Sequence, residues 1–354
     1  MKIRETHIPG LGRRQFLLGL GAAGASYWAG LPGAAAADRS VAITPEVEQA
    51  VQRGLTFLAR EQKTAGQWAG SFGTSGYAAG VAVTSLAGLA MMCSGDAPGE
   101  GIYGQNIDRC VDFVLRHVQD TGFISVNNGM DQMYGHGFAT LFLAQAYGMV
   151  RRRDDVRPKL KKAVELIVST QNDQGGWRYQ PRKSDADLSI TVCQIMALRA
   201  ASDAGLSVPK ATQTRAIDYV KQSQRPDGSF VYTLNHGHST FPLAAAGIVS
   251  LYSAGIYDGK EIESGLRYLM AYLPGRGQTN VGHYFYGHYY AAQAMWHAGG
   301  DHWRRWYPAI CQELLPKQQQ DGSWPDPSVC PHFGTAVACI ILQLPNNSLP
   351  IFAE

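Results

Sequence analysis

The chain has 354 residues, 45% hydrophobic and 17% charged, with 31 basic against 28 acidic side chains and a formal net charge of +3. Lys2, Arg4, Arg13 and Arg14 against Glu5 account for that excess within residues 1–37, which leaves 27 charges of each sign in residues 38–354. Such a balance gives no electrostatic basis for binding nucleic acid or an anionic membrane surface.

Arg13-Arg14-Gln-Phe16-Leu17 forms a twin-arginine motif. An apolar Gly/Ala-rich run from Phe16 to Trp28 follows it, and Ala34 to Ala37 offers a small-residue cleavage site. The run is short for a membrane span and is interrupted by glycines. Residues 1–37 are therefore expected to be a twin-arginine signal peptide removed on export to the periplasm or cell envelope. Residues 38–354 would usually suggest two domains, but uniform repetition without a linker argues for one. The six cysteines contain no C-x-x-C pair, and Cys93, Cys193 and Cys339 sit in apolar stretches. Buried free thiols are expected rather than a disulfide framework, although the destination is oxidising.

From residue 45 to 345 the chain repeats one pattern six times. An amphipathic helix ends at a Gly-aromatic turn, and a nearly all-apolar helix follows. The turns run Gln62 to Gly66 and Trp68, Gln119 to Gly122 and Phe123, Gln171 to Gly175 and Trp177, Gln224 to Gly228 and Phe230, and Gln318 to Gly322 and Trp324; a degenerate copy holds Gly277. The period of about 50 residues marks supersecondary units that bury their apolar faces on their neighbours. First helices show one apolar stripe, as in Val47, Ala50, Val51, Leu55 and Leu58, or Leu160, Ala163, Val164 and Ile167. Second helices are expected over 77–92, 137–149, 188–201, 239–254, 289–297 and 334–344. They are apolar all round and rich in Ala and Gly, as close packing on every side requires. An all-α fold follows: an (α/α)6 toroid with an outer and an inner ring.

The recurring Gln-x-x-x-Gly-x-Trp elements on a six-fold helical ring resemble the squalene/oxidosqualene cyclase and protein prenyltransferase β-subunit superfamily, over about residues 45–345. The resemblance implies a central aromatic-lined cavity for an isoprenoid, with reactive groups at the N-terminal ends of inner helices. The end of the chain, Phe333 to Phe352, resembles single-toroid bacterial relatives.

Those helix starts are rich in polar groups: Tyr134 and His136; Asp185, Asp187, Ser189 and Thr191; His236 and His238; His283 and His288; Cys330 and His332. On parallel inner helices they would meet at one mouth of the ring, over an apolar cavity. For Asp187, Ser189 and Ser239, helix capping is the competing reading. The cyclases' acid motif is Asp-x-Asp-Asp-Thr. Here Asp187 matches its first Asp and Thr191 its Thr, whereas Ser189 and Ile190 replace the two intervening acids. Protonating an alkene needs a stronger acid than this motif retains. The prenyltransferases' zinc ligands include Asp-x-Cys, which is absent. Cys330 and His332, with His288 from the preceding unit, are the residues of suitable type for zinc, against a packed thiol and a solvated histidine. Tyr284, Phe285, Tyr286, Tyr289, Tyr290 and Trp296 crowd the fifth inner helix, and adjacent residues on a helix do not share one face.

The functional expectation is an exported toroid that binds or transforms an apolar isoprenoid-like ligand. Asp187 is the best-placed acid, and His136, His238, His288 and His332 are the acid/base or metal-binding groups. Two alternatives stay open. One is a non-catalytic cell-envelope binding protein. The other is a carbohydrate-active enzyme using two carboxylates from Asp185, Asp187 and Asp326, with Asp131 nearby.

Overall fold

A computed structural model describes residues 41–73, 80–126, 133–149, 154–234, 237–275 and 282–352. The expected signal peptide lies outside these residues, as do Tyr77, Asp131, His236 and Gly277. Among the described residues the fold is all-helical, with isolated bridges and no strands. No described helix is long and apolar enough to cross a membrane.

Six helices form the outer ring: α1 (Pro45–Glu61), α3 (Gly104–Arg116), α5 (Val156–Thr170), α7 (Lys210–Gln222), α9 (Lys260–Met270) and α11 (Gly300–Leu314). Six form the inner ring: α2 (Gly80–Met92), α4 (Met133–Tyr147), α6 (Leu188–Asp203), α8 (Phe241–Ser253), α10 (Tyr284–Ala298) and α12 (Pro331–Gln343). Each inner helix packs on the next, and α12 packs on α2, so the ring closes. On α1 the predicted stripe is the buried face, whereas every residue of α2 is buried. All six cysteines are buried and unpaired.

The turns weld the two rings together. Gln62 Nε2 donates to the Asn106 carbonyl on α3 at 3.0 Å, Gln171 to Thr212 on α7 at 2.9 Å, Gln224 to Glu261 on α9 at 2.8 Å, and Gln318 to Ala50 on α1 at 2.8 Å. Each bond joins the end of one outer helix to the first turns of the next. Trp177 and Trp324 fold back, their indole N–H groups donating to Ile167 and Leu314 carbonyls at 2.8 Å. A third tie runs inward. Backbone N–H groups of Phe72, Trp177 and Trp324 donate to the hydroxyls of Thr84, Thr191 and Thr335 on α2, α6 and α12, at 3.1, 3.1 and 2.9 Å.

These ties correct the expected turns at two places. In the first unit Gln62 also bonds the Gly70 carbonyl at 2.9 Å, just as Gln171 bonds Gly175 and Gln318 bonds Gly322. The repeat glycine is thus Gly70 and its aromatic Phe72, not Gly66 and Trp68; four extra residues displace the motif. In the second unit Ile124, not Phe123, fills the buried aromatic position and is fully covered.

At the far end of the inner ring, a 3₁₀ turn at Pro350–Phe352 packs against α6. The Ile351 N–H donates to Gln145 Oε1 on α4 at 3.3 Å, and the Trp296 indole on α10 donates to the Phe352 carbonyl at 2.9 Å. One short turn touching three inner helices lies across the lumen and closes that end.

The corrected register has a measurable consequence. Both Gly66 and Gly70 have positive φ, but a Cβ at Gly70 would collide with the Arg109 carbonyl oxygen, while Gly66 has open space. Gly66→Ala should cost only the left-handed backbone penalty of about 1 kcal/mol. Gly70→Ala adds a backbone collision and should lower the melting temperature much further. Equal losses would contradict the assignment of Gly70 as the repeat glycine.

Candidate functional site

Helix phase decides which residues reach the lumen. Tyr134 on α4, Ser189 on α6 and Tyr286 on α10 stand at the same level, one from each of three units. The Tyr134 hydroxyl donates to Ser189 Oγ at 2.5 Å, and the Tyr286 hydroxyl to the Ser189 carbonyl at 3.0 Å. The two tyrosine rings meet edge to face with centroids 6.2 Å apart. Since α8 separates α6 from α10 in the ring, the Tyr286 bond crosses the lumen.

Asp187 lies beside this group, at the N-terminal end of α6. It is the N-cap of α6, its Oδ1 accepting the Ile190 N–H at 2.9 Å and the Ser189 hydroxyl at 2.6 Å. The capping reading therefore holds for Asp187, although its carboxylate also ends a hydrogen-bond chain that begins at Tyr134. Its side chain is 0% exposed. Its Oδ2 has no hydrogen-bond partner and lies 3.8 Å from Arg178 Nε. Burial raises the Asp187 pKa above the ordinary aspartate value, opposed by the Ser189 and Ile190 hydrogen bonds and the Arg178 charge. Ser239, in contrast, does not cap α8; Thr240 does, accepting the Leu243 N–H at 3.4 Å.

Three residues complete the mouth that the sequence reading did not single out. Arg178 pairs with Asp185, and its guanidinium lies 5.5 Å from the Tyr179 ring centroid. The Tyr179 and Tyr232 hydroxyls share a 2.5 Å hydrogen bond. Tyr179 and Tyr232 each follow a turn aromatic by two residues (Trp177, Phe230). That offset is the signal that could have found them. Their carbonyls accept the N–H groups of Met133 and Leu188, which pins this segment to the starts of α4 and α6.

One turn deeper the lumen is filled. Tyr290 Oη lies 3.3 Å from Cys193 Sγ, again across the ring. Phe138 and Tyr289 meet edge to face at 5.9 Å, and Tyr289 and Tyr290 are buried. Tyr286, Tyr289 and Tyr290 thus form the inward face of α10, while Tyr284 and His288 pack elsewhere.

Three of the histidines expected at the mouth, His136, His288 and His332, are in the wall between the rings. His136 Nδ1 accepts the Ile124 N–H at 3.2 Å, and Nε2 donates to the Ala163 carbonyl on α5 at 3.2 Å. Both ring nitrogens are used, and the first bond is the one Thr84, Thr191 and Thr335 make in other units. His288 is packed by Phe241, Tyr284 and Trp306, with centroids 5.0, 4.4 and 5.8 Å away. His332 lies against Phe57 and Phe72 at 5.5 and 6.0 Å. His238 is exposed, and Cys330 is buried at the N-cap of α12. Among the described residues no group of three or more His, Cys, Asp or Glu side chains could hold a metal ion. Cys330, His332 and His288 are not gathered into the zinc set expected of them.

Residues 106–271 match the family model of the prenyltransferase alpha-alpha toroid domain. That stretch lies within the α/α toroid that the two helix rings form. No curated protein matches the chain by sequence. Among solved structures, the toroid is similar to the type II terpene cyclase MstE from Scytonema (16% identity, TM-score 0.58, covering 86% of this chain and 99% of that one). It is also similar to cellobiose 2-epimerase from Bacillus thermoamylovorans (12% identity, TM-score 0.63, 84% and 98%). A third is the unsaturated glucuronyl hydrolase of a Bacillus species (14% identity, TM-score 0.58, 84% and 96%). At these identities the similarity establishes the shared fold.

The wall position of His136 predicts a pH dependence. Burial lowers its pKa from 6.5 to about 4, so the native state holds it neutral. A lowered folded pKa means that its stabilising term is whole above pH 6.5 and is lost as pH falls toward 4. The term reaches roughly 3 kcal/mol at the acid end. His136→Thr keeps an acceptor for Ile124 and removes the proton. Melting temperatures between pH 7 and 4.5 should then fall less steeply than in the wild type. An unchanged slope would show that His136 is not the titrating group.

Proposed function

We propose that this toroid binds a short isoprenoid-like ligand at its tyrosine-lined mouth, and that Asp187 exchanges a proton with the ligand's oxygen-bearing head group through Ser189 and Tyr134. The observation that carries the reading is the Tyr134–Ser189–Asp187 chain, with steps of 2.5 and 2.6 Å. Both hydroxyls point toward the carboxylate, which leaves a lone pair on Tyr134 Oη for the ligand. A proton passed from a ligand hydroxyl to Tyr134 Oη moves the Tyr134 proton to Ser189 and the Ser189 proton to Asp187 Oδ1. The reverse sequence returns it. The raised proton affinity of Asp187 favours holding a proton nearer neutrality than an ordinary aspartate does.

A relay ending in a phenol is too weak an acid to protonate an alkene. The reading therefore departs from cyclisation initiated at a carbon–carbon double bond. The aromatic faces of Tyr134, Tyr179 and Tyr286 suit an apolar chain, and the filled tier at Tyr289 and Tyr290 keeps that chain short. MstE, of similar fold, is known with a geranylgeranyl dihydroxybenzoate substrate, which supports a prenyl-like ligand for such a ring. The Arg13-Arg14 twin-arginine motif supports a site of action outside the cytoplasm.

A carbohydrate reading has less support, because glycoside chemistry sets two carboxylates on opposite sides of a bond. Here Asp185 and Asp187 both face one guanidinium, that of Arg178.

The test is calorimetric titration of the mature protein with geraniol and, separately, cellobiose. Geraniol binding is expected to weaken about tenfold in Tyr134→Phe, the cost of one lost hydrogen bond. It should fail in Tyr286→Ala, with both variants folded. Cellobiose binding that depends on Tyr134, or geraniol binding indifferent to both substitutions, would overturn the proposal.

A further inference from the structure

The guanidinium of Arg178 stands between two carboxylates of unequal exposure. Asp185 is 60% exposed and is bonded to Nη1, whereas Asp187 is 0% exposed and its nearest approach to Arg178 is 3.8 Å, from Oδ2 to Nε. That Oδ2 is buried without a hydrogen bond. A buried carboxylate gains far more from a bonded cation than an exposed one does. The arrangement seen is thus the costly one: the cation serves the acid that needs it less.

We propose that Asp185 is a positioning residue for the relay, holding Arg178 at the rim of the mouth and so keeping it from closing on Asp187 Oδ2. The inference rests on the relay proposed above and assigns the group that sets its proton affinity.

The surroundings leave few other candidates. Facing Asp187 are Tyr134 from α4, Tyr219 from α7, Tyr286 from α10, Cys193 from α6, and Tyr232 from a turn segment, its hydroxyl bonded to that of Tyr179. The Tyr134, Tyr219, Tyr232, Tyr286 and Cys193 pKa values are all raised, burial being the largest cause in each. Those five are neutral throughout the range in which a carboxylate titrates. Arg178 and Asp185 remain as the charged pair that acts on Asp187. When Asp185 is present and ionised, Arg178 is shared; when it is removed, Arg178 Nε and Nη groups are free to form a charge-assisted hydrogen bond with Oδ2.

The experiment is a carboxyl ¹³C NMR titration of ligand-free mature protein labelled at aspartate, with the Asp187 signal assigned by its loss in Asp187→Asn. Asp185→Asn should lower the Asp187 midpoint by about one pH unit, a tenfold loss of proton affinity. Arg178→Gln should raise it by a similar amount. The two opposite shifts separate positioning from a merely structural role, and the second does not depend on the first variant folding. Shifts in the same direction, or an Asp187 midpoint unmoved by Asp185→Asn, would overturn the inference. Because no ligand is present, failure of the geraniol test would leave this result standing, and the reverse is also true.

Discussion

Gln318 and Gln343 belong to the last helix pair, and their amides donate to carbonyls of the first, Ala50 at 2.8 Å and Ala90 at 3.1 Å. The site depends on this closure. An open stack of helix pairs would leave the apolar sides of α2 and α12 facing water and would have no lumen. Closing the ring buries both, aligns the six inner helices in one direction, and brings their N-terminal ends to a common mouth. The same closure gives the opposite end its stopper, since Pro350–Phe352 lies where α4, α6 and α10 come together.

Within the closed ring the two faces of an inner helix do different work. Residues two apart on a helix point about 200° from each other. Tyr134 and His136 therefore occupy one level and opposite sides, as do Tyr286 and His288, and Ser189 and Thr191. The outward member packs against the next outer helix or bonds the turn; the inward member meets its counterparts from other units. Asp187 joins the two functions. It caps α6, which holds it in place, and its capping oxygen also receives the Ser189 hydroxyl. Its carboxylate is thereby fixed without a dedicated scaffold, at the cost of a buried oxygen that no strong hydrogen bond satisfies.

The fold was legible because it is written six times, in an amphipathic helix, a glycine turn and an apolar helix. The Gln-to-Gly spacing misled where it departed from four residues, at Gly70 and in the second unit. The site was less legible because sequence order gives the level of a residue but not its phase. His136, His288 and His332 were read as mouth residues from level alone, and their ring nitrogens or ring faces are turned into the wall. A closer reading of the sequence could have recovered the phase. Tyr134-Gly-His136 and Tyr286-Gly-His288 align with Ser189-Ile-Thr191, whose threonine ties the Trp177 turn. That alignment puts histidine on the structural side and tyrosine on the lumenal side. Arg178, Tyr179 and Tyr232 lie outside the helices, so no helical periodicity marks them, and only the offset from the turn aromatic points to the two tyrosines.

The most direct measurement is a crystal structure of the mature protein soaked with geraniol. The account predicts ligand density against the Tyr134 and Tyr286 rings, with its hydroxyl within hydrogen-bond distance of Tyr134 Oη and its chain ending above Tyr290. Density confined to the outer surface, or lodged between the rings beside His136 or His288, would contradict it.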